Sequence, residues 1–194
     1  MGARRDIGTI RTATFDDAPA LANMHVASWR ETYASILPAA MLASLSVQKR
    51  QAMWEQVMRP QSRVGATAVY LLELDGKIIG FGSCGAQRDE KLKDRAYDGE
   101  ISAIYVLRTF QRLGAGTRLL STMAWDLVDR GFFAASLWVL RDNPTARQFY
   151  ERFSAQVIAE RDDVREDSVL IEVAYGWADL THVNQFARPD CRHP

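Results

Sequence analysis

The sequence predicts an α+β fold, a single mixed sheet with helices on its faces. Three observations carry this. β-rich and helix-like runs are interleaved in the order strand, two helices, a meander of strands, helix, strand, helix, two strands. Asp75-Gly76 stands between two β-rich runs, the mark of a tight hairpin and so of antiparallel neighbours. The apolar run "AASLWVL", Ala134 to Leu140, suits a strand buried on both faces. Together they argue against a doubly wound parallel sheet.

Each element has a local reason. Ile7 to Ala13 forms a short strand. "TFDDAP" opens a helix, with Asp16 or Asp17 as cap and Pro19 in the first turn, and the helix runs to about Tyr33. A second helix covers about Val47 to Met58. The hairpin around Asp75-Gly76 follows, then a charged loop, "RDEKLKDRAYDGE". "EISAIYVL", Glu100 to Leu107, is the next strand. A helix from about Gly114 to Arg130 stops at Gly131, a natural left-handed residue. After "AASLWVL", Asn143 caps a helix with Pro144 at its first position. Gln156 to Arg161 and Ser168 to Tyr175 are the last strands. This places one domain at residues 1–180 and a polar, proline-punctuated tail at 181–194.

Composition narrows the function. The chain has 194 residues, 47% hydrophobic and 25% charged, which fits one globular domain. Lys+Arg and Asp+Glu both number 24, so there is no basic excess to support nucleic-acid binding. Two distant cysteines, Cys84 and Cys191, point to a reduced, cytoplasmic chain. No apolar run is long enough to span a bilayer, and the first residues lack a secretory signal, so no membrane partner is expected. The histidines His25, His182 and His193 have no metal-ligand spacing, so no metal is expected.

"FQRLGAGTRLL", Phe110 to Leu120, drops side chains at Gly114 and Gly116 where a helix begins. One reading is a turn made tight for packing. The other is a helix N terminus whose bare N–H groups hold an anion such as a pyrophosphate. A dinucleotide fingerprint fails because Leu119 stands where its third glycine belongs. A P-loop fails because Thr117-Arg118 follow Gly116. Arg112 and Arg118 add positive charge. Farther on, Tyr150 lies about two turns beyond Asn143 on the next helix.

These segments resemble the GNAT (GCN5-related N-acetyltransferase) superfamily. "QRLGAG" is similar to its Gln/Arg-x-x-Gly-x-Gly/Ala motif, and "LWVLRDNPTARQFYERF" looks like its next conserved segment. "IRTATFDDAPALANMHVASWRETY" is similar to the opening of small bacterial members. The likeness covers about Ile7 to Tyr175. One departure is Ser154-Ala155, where the family usually has Gly-Phe.

The resemblance implies a mostly antiparallel, twisted sheet of six to seven strands, with a V-shaped opening between two central parallel strands. It implies acetyl-CoA as acetyl donor, no metal, and a homodimer as one possible assembly. Backbone groups from Gln111, Arg112 and Leu113 through Gly114, Ala115, Gly116 and Thr117 would hold the pyrophosphate. Ile104, Tyr105 and Val106 would pair with the pantetheine arm, joined by Asn143, Ala146 and Tyr150.

The implied reaction is direct attack of an amine on the thioester, the amine belonging to a small molecule or a protein. The amine must be neutral, although alkyl ammonium pKa values lie near ~10. Tyr150 matches the acid that protonates the departing thiolate. Glu100 is the first candidate base, with Asp98 and His25 as alternatives. His25, Trp29 and Tyr33 recur at i, i+4 and either line an acceptor pocket or pack on the sheet. Cys84 reads as an inert strand cysteine. Two competing readings are a non-catalytic CoA-sensing or interaction module on the same fold, and a glycine-turn domain for another phosphorylated ligand.

Overall fold

The computed structural model describes residues 7–59, 67–165 and 168–186. Among the described residues seven strands form one sheet: β1 (Thr9–Thr12), β2 (Ala68–Leu74), β3 (Lys77–Ala86), β4 (Gly99–Val106), β5 (Ala135–Leu140), β6 (Gln156–Arg165) and β7 (Ser168–Trp177). Their order is β1-β2-β3-β4-β5-β7-β6. Every neighbouring pair is antiparallel except β4 and β5. Asp75 and Gly76 both take positive φ at the β2–β3 turn, the hairpin geometry that the dipeptide predicts.

The helices are α1 (Ala18–Tyr33), α2 (Ala39–Ala43), α3 (Val47–Val57), α4 (Glu90–Lys93), α5 (Ala115–Asp129) and α6 (Pro144–Glu151). α4 falls inside the segment expected as loop. Asp89 nucleates it by accepting the Lys91 N–H at 3.0 Å. α2 was not expected, and it caps the turn after α1.

Alternation along the strands divides the apolar side chains between two faces. On one face Leu119, Leu120, Met123 and Leu127 of α5 pack fully buried with Ile101, Leu137 and Val139. On the other, Leu21, Ala22 and Met24 of α1 join Trp54, Leu71 and Phe81. Each fully buried Leu or Phe contributes about 1.5–3 kcal/mol of transfer free energy. The chain goes on packing against this core past residue 180. A turn at Leu180–Phe186 buries Leu180 and Val183 in the α5-side core, and Leu180 N–H donates to Phe133 O at 2.8 Å. The rest of the expected tail, 187–194, lies outside the described residues.

Candidate active site

β4 and β5 pair only at Gly99↔Ala135 and Glu100↔Ser136. Beyond that point the strands part, and the edges from Ile101 and from Leu137 onward face each other without a ladder. A bulge at Ser102 accompanies the divergence, because Ser83 pairs with Ala103 and Cys84 with Ile101. The opening belongs to a cavity of about 1950 Å³. That exceeds the ~300–1000 Å³ of a pocket for one drug-sized ligand, so there is room for two substrates.

At one end of the cavity lies the glycine turn. Arg112 (φ 60°) and Gly114 (φ 91°) are both left-handed, and α5 starts at Ala115. Gly116 is bare for a different reason: a Cβ there would lie 3.3 Å from the Phe149 ring. The first backbone bond of the helix is Arg118 N–H to Gly114 O, 3.0 Å. The amides from Arg112 to Thr117 therefore have no acceptor among the described residues. Gln111, Arg112, Gly114, Gly116 and Thr117 line the cavity. Leu113 projects outward and Ala115 is buried, so these two can offer only backbone. Arg118 turns away to donate to Gly8 O at 2.7 Å and serves β1 instead of an anion.

At the divide, Ile104, Tyr105 and Val106 line the cavity opposite Asn143, Ala146 and Tyr150. Asn143 is buried. Its Oδ1 accepts the Ala146 N–H at 3.1 Å, and its Nδ2 donates to no described residue. The Tyr150 hydroxyl has no hydrogen-bond partner among the described residues. Burial, and secondarily the nearby Tyr33, push its pKa well above the usual phenol range. Tyr33 and Tyr105 share a hydrogen bond between hydroxyls, 3.1 Å, and burial raises both their pKa values too. All three phenols keep their protons at neutral pH, and within the Tyr33–Tyr105 pair one hydroxyl donates and the other accepts.

Glu100 lines the same cavity as Tyr150, on the face that carries α1. Arg88 holds it in a bidentate pair at 2.6 and 2.9 Å. Beside it, Arg161 pairs with Glu172 at 2.7 Å, reaches Asp89 at 3.2 Å, and stacks 4.1 Å from the Trp138 ring centroid. Gln87 ties these groups together: its Oε1 accepts the N–H groups of Arg88 and Asp89, and its Nε2 donates to Ser136 Oγ at 2.6 Å. Gln87, Arg88, Arg161 and Glu172 were not singled out from sequence. The signal available for the last two was their place as cross-strand partners in the final hairpin.

Trp29 and Tyr33 line the cavity, and His25 does not. His25 is buried among Trp29, Trp54, Phe81 and Tyr105, with ring centroids 4.8–5.9 Å away, and Trp54 Nε1–H donates to its Nδ1. Burial, and then the charge of Arg50, depress its pKa to about 3. Asp98 is exposed and is not among the lining residues. Cys84 is fully buried 3.4 Å from an Asp126 oxygen. Burial first and that carboxylate second raise its pKa, which leaves it an unreactive thiol. No group of three or more His, Cys, Asp or Glu suited to a metal occurs among the described residues, and none of their helices is long and apolar enough to cross a membrane.

A run of unpaired amides thus stands at the mouth of a splayed parallel pair. Comparison with known proteins makes the class specific. Residues 23–155 match the model of the acetyltransferase (GNAT) family, and the chain belongs to that family. It is 36% identical over 173 residues to the uncharacterized N-acetyltransferase YuaI of Bacillus subtilis (strain 168), covering 89% of this chain and 94% of that protein. In structure it resembles the PaiA N-acetyltransferase of Thermoplasma acidophilum in complex with coenzyme A. There the TM-score is 0.64 at 20% identity, over 84% of this chain and 96% of that one. It also resembles YncA of Salmonella typhimurium with its cofactor acetyl-CoA, with a TM-score of 0.64 at 20% identity over 89% and 93% of the two chains.

Proposed function

We propose that the protein transfers the acetyl group of acetyl-CoA to a primary amine by direct attack. One observation carries this reading: a single cavity joins Arg112, Gly114, Gly116 and Thr117 of the glycine turn, the β4–β5 divide, Tyr150 and Glu100. The complexes of PaiA with coenzyme A and of YncA with acetyl-CoA support the choice of cofactor.

The pyrophosphate sits on the bare amides at the start of α5, where the helix dipole and Arg112 favour negative charge. The pantetheine arm lies in the divide, its amides paired with the open edge of β4 around Ile104 to Val106 and with Asn143 Nδ2. The amine nitrogen attacks the carbonyl carbon, and an N–H of the β4 edge stabilises the oxygen as it gains charge. The C–S bond breaks, the sulfur takes a proton, and the amine nitrogen gives one up; the products are the amide and free CoA. Tyr150 serves the sulfur as hydrogen-bond donor. Its pKa lies above the ~8.5 of an alkyl thiol, so the phenol keeps its own proton and steadies the sulfur by hydrogen bond, while the proton that the sulfur takes up is matched by the one the amine releases into the cavity water. Glu100 receives the amine's proton through water, oriented by Arg88.

The test is thiol release with a panel of amines, beside calorimetry with CoA. Tyr150→Phe is expected to lower kcat about 100-fold with little change in KM for acetyl-CoA. An unchanged kcat removes Tyr150 from the reaction. Absence of CoA binding to folded protein refutes the cofactor assignment.

A further inference from the structure

The acceptor side of the cavity carries a second, narrower message, which rests on the reading above. Trp29, Tyr33 and Tyr105 form a continuous aromatic wall, their ring centroids 5.1–6.5 Å apart. Ile36 and Leu37, just past the end of α1, extend it into the cavity. Trp29, Ile36 and Tyr105 are only half-buried, so large apolar surface is left facing a space that an acceptor must occupy.

The carboxylates on this side are already engaged. Glu100 is held by Arg88 and Glu172 by Arg161. Glu31 accepts the backbone N–H of Arg108 at 2.8 Å. Asp142 is the one cavity-lining carboxylate without a partner among the described residues, and it is exposed beside Asn143, on the cofactor side. A polyamine or amino sugar brings several ammonium groups, each of which needs an anion to replace its lost hydration. The wall offers rings and alkyl groups instead. Rings also attract a single ammonium through their negative faces before it loses its proton.

We propose that the acceptor is a monoamine on an apolar, preferably flat body, seated against Trp29, Tyr33 and Tyr105 with its nitrogen toward Glu100 and the thioester. A polycation is the wrong shape of charge for this wall.

The probes are 2-phenylethylamine, ethanolamine and spermidine, assayed by thiol release at saturating acetyl-CoA. kcat/KM for 2-phenylethylamine is expected to exceed that for each of the others by at least tenfold. Ile36→Glu, at a half-buried loop position that tolerates charge, places a free carboxylate on the wall. It is expected to shift the ratio at least tenfold toward spermidine, with KM for acetyl-CoA unchanged. Turnover that favours spermidine or ethanolamine in the wild type overturns this inference and leaves the acetyltransferase reading intact. If CoA binds but none of the three probes turns over, that reading fails for amines of these classes. Tryptophan fluorescence then decides the wall separately: saturable quenching by 2-phenylethylamine in the CoA-loaded protein supports the apolar acceptor site, and its absence overturns it.

Discussion

His25 makes stability depend on pH in a way that can be calculated. The ring is 5% exposed and packed among four aromatic side chains. Its Nδ1 accepts the Trp54 indole N–H at 3.2 Å, which requires that nitrogen to be unprotonated. Burial, with Arg50 adding to it, lowers the pKa from 6.5 to about 3. The unfolded chain therefore takes up a proton near pH 6.5, and the folded chain holds off until about pH 3. Between those values the unfolded state binds more protons, so stability falls as pH falls. The contribution is complete above pH 6.5 and is lost at about 1.4 kcal/mol per pH unit below it, or about 2 kcal/mol by pH 5. That is a sizeable part of the ~5–15 kcal/mol that holds a domain together. His25→Phe removes the titrating ring and leaves the Trp54 N–H without its acceptor, a cost of about 1–3 kcal/mol at pH 8. Urea unfolding of both proteins at pH 8 and pH 5 separates the two effects. The wild type is expected to lead at pH 8, with its lead reduced by about 2 kcal/mol at pH 5. Every other titratable group is the same in both proteins, so its contribution cancels in the comparison. A gap that stays constant within about 0.5 kcal/mol refutes the buried, neutral imidazole.

Two further substitutions test backbone geometry. Gly114→Ala adds a Cβ at φ 91°, a strain of about 1–2 kcal/mol; CoA affinity measured by calorimetry should drop about tenfold while circular dichroism stays native, and an unchanged Kd contradicts the amide loop. Ser154→Gly relieves a left-handed residue (φ 63°) after α6 and should raise Tm by about 2–4 °C, from about 1 kcal/mol of relief; a lower Tm in a calorimetric scan contradicts that account.

The sheet and the main helices were legible because their signals are local. Asp75-Gly76 fixes a hairpin, Asn143-Pro144 starts α6, and the glycines mark the entry to α5. The departure at Ser154-Ala155 is resolved within the same turn. Ser154 adopts the left-handed conformation itself, and Ala155 fills the buried site where the family carries an aromatic. His25 shows where periodicity stops short. An i, i+4 stripe says which residues share a helix face, but not which of them meets the cavity. Trp29 and Tyr33 reach it, while His25, one turn earlier, is covered by Trp54 of α3 and Phe81 of β3. Similarly, Glu100 reads as a lone strand-end carboxylate until Arg88, from the loop before α4, is seen to close on it.

The two ends of the cavity are built from different material, and only one kind of material leaves a local trace in the sequence. The end we propose for the cofactor is made of backbone: unpaired amides of one contiguous loop and the open edge of one strand. Backbone demands are met by residue types that leave a trace, such as glycine at φ 91° and a bare position against Phe149. The end we propose for the acceptor is made of side chains from α1, β4, β5 and the β6–β7 hairpin, linked by ion pairs that span up to 72 positions in sequence. Gln87 makes the dependence concrete, since its one amide anchors Arg88 and Asp89 to Ser136 on β5. Chains sharing the same loop and strand edge can bind the same cofactor and still differ in acceptor, because the groups that choose the acceptor are free to vary without touching the amides.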